Sequence, residues 1–465
     1  MTKKYTLSLT LAVSALALSL PSLSPLHAAP NDSVTKARDA ALSDQVALNI
    51  AEGLTTEVGQ RMPGTEAEAR ARAWSLKKLR SLGFSNVRIE TFDIPTWVRG
   101  TETAEITAPV PQKMAVTALG RSASTGEEGI EAEVVYFPTI NKLKAAPKGS
   151  LNGKIAFVSH NMKATQDGSG YGVNGPVRWI GPNLASTKGA AAIVIRSVGT
   201  DYHRNPHTGG TGFQEGVTPI PAGALSIPDA ENLARMFKRG VPVKMKLVLT
   251  PRDLGMQESG NVIAEVPGSD PNAGMILVAG HLDSWDLGTG AFDDAAGVAI
   301  VAAAAKRIMD NGKPKRTIRI LWAGSEETGL WGGKDYAAKH GSEKHAVAME
   351  SDFGADKVWR VEFNLPKGAK TVQDKIAAAL LPMGIGVGSA KAGGGPDVGP
   401  LVQSVGVSTV DLNQDGTRYF DLHHTPDDTF DKIDPVQMRQ NVAAWTATLS
   451  ILANAEESLM MEKSK

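Results

Sequence analysis

Met275-Ile276-Leu277-Val278-Ala279 is an unbroken apolar run that ends on Gly280-His281-Leu282-Asp283-Ser284-Trp285-Asp286. A short run without polar alternation suits a strand buried on both faces of a parallel sheet. The arrangement recurs at 317–322, 346–349 and 407–412, with helical spacing at 297–309, 372–381 and 435–454. Strands alternating with helices predict an α/β fold: a mainly parallel sheet with helices on both faces, binding ligands beyond the carboxyl ends of its strands.

Upstream the texture differs. Residues 35–58 and 65–82 carry helical apolar spacing (Val46, Ile50, Leu54; then Ala73, Leu76, Leu79, Leu82), and the second segment stops at Gly83, a natural residue just past a helix end. Residues 87–94 alternate like a strand. Between 111 and 250 short strand-like runs (133–137, 154–158, 191–195) are separated by Gly-, Pro- and Asn-rich connections, which predicts a β-rich insertion. The segments 179–199 and 220–227 resemble a protease-associated domain. The expected layout is a leader over 1–28, the first part of the main domain over 29–110, the insertion over 111–250, and over 251–465 the second part, which carries the site.

The leader reading rests on Lys3 and Lys4, an apolar stretch from Tyr5 to about Leu20, and Leu26-His27-Ala28-Ala29-Pro30, with small residues suited to cleavage after Ala28 or Ala29. It predicts a periplasmic or secreted protein without stable membrane insertion once cleaved. Removing Lys3 and Lys4 leaves 47 basic against 49 acidic residues, a formal charge of −2, and nothing favours nucleic acid as a partner. Hydrophobic residues at 42% and charged residues at 21% exclude a disordered or fibrous chain. There is no cysteine, so disulfides contribute nothing.

The candidate chemistry gathers at strand ends. His281 and Asp283 follow the first apolar run, and Asp283 stands where it could accept the second ring N–H of His281. Asp293-Asp294-Ala295-Ala296-Gly297 opens a helix; acidic residues there can cap it, while a carboxylate can also bridge two cations. Ser325-Glu326-Glu327-Thr328-Gly329 sets two carboxyl groups side by side, suited to split roles as ligand and proton carrier. Met349-Glu350-Ser351-Asp352 and Leu422-His423-His424-Thr425-Pro426-Asp427-Asp428 supply a further acid and late imidazoles. His281, Asp293, Glu327, Asp352 and His424 together offer two imidazoles and three carboxylates, a set suited to zinc.

As a set these motifs resemble the M28 family of metallopeptidases, and within it the carboxypeptidase Q branch, over nearly the whole mature chain. The resemblance implies two zinc ions per chain, with His281 and Asp352 on one, Glu327 and His424 on the other, and Asp293 bridging both. Glu326 would be the general base to a metal-bound hydroxide, and Asp283 the partner of His281. His424 is preferred to His423 because a small hydroxyl residue and Asp428 follow it; His423 would line the cleft. His203 and His207 lie four apart, but Pro206 between them argues against a helical ligand pair. The Pro206-His207-Thr208-Gly209 loop resembles one that rims the cleft, and Asp397, after Gly393-Gly394-Gly395-Pro396, stands at a substrate-side position. The expected substrate is a short peptide, cut by a dipeptidase or carboxypeptidase, with an aminopeptidase second. A one-zinc glutaminyl cyclase-like acyltransferase and a non-catalytic binding protein are the competing readings. A homodimer is implied by resemblance alone.

Overall fold

In the computed structural model residues 32–461 are described, and the expected leader lies outside them. One eight-stranded sheet consists of β1 (Ser85–Val98), β2 (Arg252–Val266), β3 (Met275–His281), β4 (Ile318–Ala323), β5 (His345–Glu350), β6 (Val358–Asn364), β7 (Gly386–Val387) and β8 (Ser408–Gln414), in the order β1-β2-β4-β3-β5-β8-β6-β7. The four central strands β4, β3, β5 and β8 are mutually parallel. The flanks are mixed: β1 pairs antiparallel with β2, β2 with β4, and β6 with β8.

Alternate residues of the central strands enter two separate cores, as the two-residue period of a strand demands. Ile276, Val278, Ile318, Ile320 and Trp322 pack on the face covered by the helices Ala296–Asp310 and Pro435–Asn454. Leu277, Ala279, Leu321 and Ala323 face Tyr336, Val398 and Leu401, from the side of Trp331–His340 and Gly399–Val405. Helices on both faces explain why these strands are apolar at every position. The helix Pro435–Asn454 starts where Asp434 accepts the Val436 and Gln437 amides, with Pro435 at its first position.

The second eight-stranded sheet runs Gln112–Met114, Glu102–Ala108, Lys244–Leu249, Ile130–Phe137, Ile155–Val158, Ala192–Arg196, Ala222–Leu225, Val116–Ala118. It begins and ends on pieces of one segment separated only by Ala115, so the sheet curls round on itself. Its strands start at Glu102, ahead of the boundary at 111, because Glu102–Ala108 pairs antiparallel with Lys244–Leu249 rather than continuing β1. Among the described residues no helix is long and apolar enough to cross a membrane.

Candidate active site

Every central strand of the first sheet hands the chain to candidate residues at its carboxyl end. His281 closes β3, Glu326 and Glu327 follow β4, Asp352 follows β5, and His423-His424 lie in the segment after β8. Asp293 comes from the turn before the helix Ala296–Asp310. Gly297 lets that helix approach β5: a Cβ there would lie 1.8 Å from the Ser351 carbonyl oxygen.

These side chains meet. His281 Nε2 lies 2.9 Å from Asp293 Oδ1 and 3.4 Å from Asp352 Oδ1. His424 Nε2 lies 3.2 Å from Asp293 Oδ2 and 3.0 Å from Glu327 Oε2. The two oxygens of Asp293 thus face two different imidazoles. Asp293 Oδ2 lacks hydrogen-bond geometry despite its short distance to His424, and Glu327 Oε1 is likewise buried without a partner.

Both imidazoles are held through their other nitrogen. His281 Nδ1–H donates to the main-chain oxygen of Asp283 at 3.0 Å, whereas the Asp283 carboxylate stands 3.7 Å away. That carboxylate instead accepts the Glu326 and Glu327 amides at 3.0 and 3.2 Å. Asp283 does hold the ring, but by its backbone; its side chain positions the acidic pair. His424 Nδ1 lies 3.2 Å from the Thr208 carbonyl, a contact that requires the proton on Nδ1, while Arg178 Nη1 stands 3.3 Å from the same nitrogen; the Thr208 amide donates to the His424 carbonyl at 3.0 Å. With Nδ1 turned to a carbonyl in each ring, Nε2 is the nitrogen that faces the carboxylates and the one each ring would offer a metal.

By sequence Asp293 and Asp294 can each cap the helix or ligate a cation, and the structure separates them. Asp294 accepts the His281 amide at 3.1 Å and the Gly297 amide at 2.9 Å, so it caps the helix and ties it to β3. The peptide between the two aspartates is cis. Asp428 accepts the Phe292 amide at 2.6 Å and the Asp293 amide at 3.2 Å, which fixes the segment bearing Asp293. Trp285 and Arg61 carry no local signal of a role. The Trp285 indole donates to Glu327 Oε2 at 2.6 Å, and the fully buried Arg61 guanidinium binds the carbonyls of Gly59, Leu282, Thr289 and Gly290.

The three expected substrate residues sit deeper than the sequence suggests. His207 is 1% exposed, with Nε2 on Asp201 and Nδ1 on the His423 carbonyl, each at 2.8 Å. It is a strut and not a rim, because both nitrogens are engaged inside the fold; the rim is formed further along the loop, by Gly210, Thr211 and Gly212. His423 stacks on His424, with ring centroids 3.5 Å apart, among Tyr171, Tyr419 and Phe420. Its Nε2 is 3.7 Å from Asp293 Oδ2, farther than that of His424. Asp397 is buried with neither carboxyl oxygen hydrogen-bonded.

The electrostatics report a surplus of negative charge. Burial raises the carboxyls of Glu326, Glu327, Asp352 and Asp397 above their ordinary range, and their acidic neighbours add to the effect. Burial alone would lower His424, yet Glu327 and Asp293 hold it up at about 9. A buried excess of carboxylates, only partly offset by two imidazoles held toward their charged form and with two carboxyl oxygens unpartnered, is a site that fits divalent metal, which would take the place of the imidazole protons. A larger hollow of about 830 Å³ beside Ala40, Ile308 and Asn454 has, among the described residues, one carboxylate, Asp310, and no imidazole in its lining.

Residues 261–449 match peptidase family M28. Carboxypeptidase Q of Bos taurus is 35% identical over 87% of this chain and 85% of its own length. The chain belongs to peptidase family M28. It is accordingly a metallo-exopeptidase. A solved M28 peptidase precursor from Shewanella amazonensis SB2B superposes on this M28 chain with a TM-score of 0.90 at 45% identity, covering 93% of this chain and 98% of that one. A zinc aminopeptidase from Bacillus subtilis, at 20% identity, shares the fold with a TM-score of 0.64 over 90% of this chain and 98% of its own.

Proposed function

We propose that the protein is a di-zinc exopeptidase of short peptides, acting first on unblocked dipeptides. The observation that carries this reading is Asp293, whose two oxygens each face a different imidazole. His281 and Asp352 would hold one ion, Glu327 and His424 the other, with Asp293 shared. When bound, the zinc supplies Lewis acidity, lowering the pKa of water toward neutrality and polarising the peptide carbonyl.

The remaining work falls to the chain. Glu326 hydrogen-bonds to no other described side chain, so its carboxyl is free to take a proton from the attacking water and deliver it to the leaving amine. Asp283 fixes the backbone from which Glu326 projects. An acidic cleft of about 200 Å³ next to Asp352, lined by Glu350, Asp411 and Asp167, suits the protonated amino terminus of a peptide. Glu350 Oε1 is buried there without a partner. The curled second sheet would be a protease-associated-like module, and the leader over 1–28 would send the protein out of the cytoplasm.

Zinc content and end-blocking test this. The expected result is two zinc ions per chain and chelator-sensitive hydrolysis of a free dipeptide, reduced by acetylating its amino end. One zinc together with pyroglutamate formation would instead support the acyltransferase reading, and intact metal without hydrolysis would support the binding-protein reading.

A further inference from the structure

A second cleft, of about 240 Å³, opens on the Glu327 side of the cluster of imidazoles and acids and differs chemically from the acidic one. Its walls are Met62, Trp97, Trp179 and Trp285. The polar ends of two of these indoles are already satisfied, Trp285 by Glu327 and Trp97 by the Ser122 carbonyl at 3.1 Å, so ring carbon faces the opening. Gly120 lets Trp285 lie against the second sheet's segment; a Cβ there would come within 2.2 Å of the ring.

Three polar groups in this apolar cleft have no partner. The Thr211 and Thr328 hydroxyls are buried without a hydrogen bond, at 4% and 8% exposure. Arg121 is exposed at the mouth and makes neither hydrogen bond nor ion pair with any described residue. It sits in a turn closed by the Ser122 amide on the Leu119 carbonyl, with φ of 67°, a left-handed conformation that is costly for a residue with a Cβ. Bonds from the Gly120 amide to the Gly209 carbonyl, and from the Thr211 amide to the Gly120 carbonyl, hold that turn on the cleft.

We infer that this cleft takes the carboxyl-terminal residue of the substrate: an apolar or aromatic side chain between the tryptophans, and the free α-carboxylate on Arg121 with the Thr211 and Thr328 hydroxyls. A guanidinium pairs with a carboxylate through parallel N–H donors, and Glu327 is the one acid among the residues lining this cleft, its Oε2 already taken by the Trp285 indole. The inference rests on the exopeptidase reading and adds to it the residues that read the carboxyl end. The acidic cleft on the Asp352 side then leaves the amino terminus at the opposite end of the cluster.

The test is steady-state kinetics of the zinc-loaded, leader-free enzyme on Ala-Phe, Ala-Phe amide, Ala-Ala and Ala-Asp. Wild type should favour Ala-Phe over its amide by about tenfold or more in KM, the scale of a charge-assisted hydrogen bond, and should favour Ala-Phe over Ala-Ala and Ala-Asp. Arg121→Gln should bring the acid-to-amide ratio near one, Arg121→Lys should recover part of it, and Trp179→Ala should erode the preference for Phe over Ala. Equal KM for acid and amide in wild type, or an unchanged ratio in Arg121→Gln, overturns the inference while leaving the exopeptidase reading standing. Absence of hydrolysis of all four peptides by metal-loaded wild type overturns both.

Discussion

The Asp283 carboxylate receives the Glu326 amide at 3.0 Å, and the Glu327 amide follows at 3.2 Å on its other oxygen. Ser325, with φ of 60°, turns the chain so that both N–H groups point inward. One fully buried acid therefore sets where the proton carrier and the adjacent ligand begin.

Asp283→Ala should leave two part-buried amides unpaired, each costing up to about 1–3 kcal/mol. The expected outcome is a lowered melting temperature and a kcat reduced by about tenfold or more, from misplacement of Glu326. Thermal denaturation and kinetics on one dipeptide check both; a variant with wild-type kcat would remove the positioning role.

Glu326→Gln should keep the metal content of wild type and lose about 10²–10⁴-fold in kcat, the range for removing a general base. Asp293→Ala should do the reverse in order of cause, losing metal first and activity with it. Metal analysis beside single-substrate kinetics distinguishes the two; if Glu326→Gln turns over normally, another group moves the proton.

Arg61 ties the turn ahead of the helix Glu66–Ser81 to the chain after β3 and to the turn before Asp293 through four carbonyl bonds. Arg61→Met keeps the aliphatic volume but orphans those oxygens, and a loss of about 3 kcal/mol or more is expected. Urea denaturation measures it. A loss below about 1 kcal/mol would mean that water replaces the guanidinium.

His345 sets part of the acid limit. Its Nε2 accepts from Tyr336 at 2.9 Å while Nδ1–H donates to the Glu343 carbonyl at 3.1 Å, an arrangement of the neutral ring. Burial pushes its pKa down to about 4 from the ordinary 6.5. Between those values the unfolded chain binds the proton and the folded one does not, so stability present above pH 6.5 is lost as pH falls toward 4, by about 3 kcal/mol. His345→Gln should flatten that limb in a stability-against-pH series; an unchanged slope would place the acid sensitivity elsewhere.

Legibility in the sequence followed burial. Strands apolar at every position, such as β3 and β4, announced themselves, and their carboxyl ends pointed to His281 and Glu327. The strand β2 did not: its first half, Arg252 to Glu258, is exposed along its whole length, Leu254 and Met256 included, and it is a strand only because β1 pairs with it. The antiparallel β6 carries no local signal either, because its pairing with β8 is likewise not local. Arg61 and Trp285 act on partners far away in the chain, and no spacing rule reports that. His207 misled for the opposite reason: its loop sequence is polar and glycine-rich, while its ring is enclosed by Asp201 and the backbone of His423.

Thr208 belongs to the stretch of chain between the strands of the second sheet, yet its carbonyl lies 3.2 Å from His424 Nδ1 and favours a proton there, turning Nε2 toward the acids. A fragment trimmed to 251–465 would retain every imidazole and acid expected to grip zinc and still lack the acceptor that keeps one of those imidazoles ready. Grafting a foreign insertion onto this scaffold would therefore be an experiment on metal affinity as much as on substrate choice.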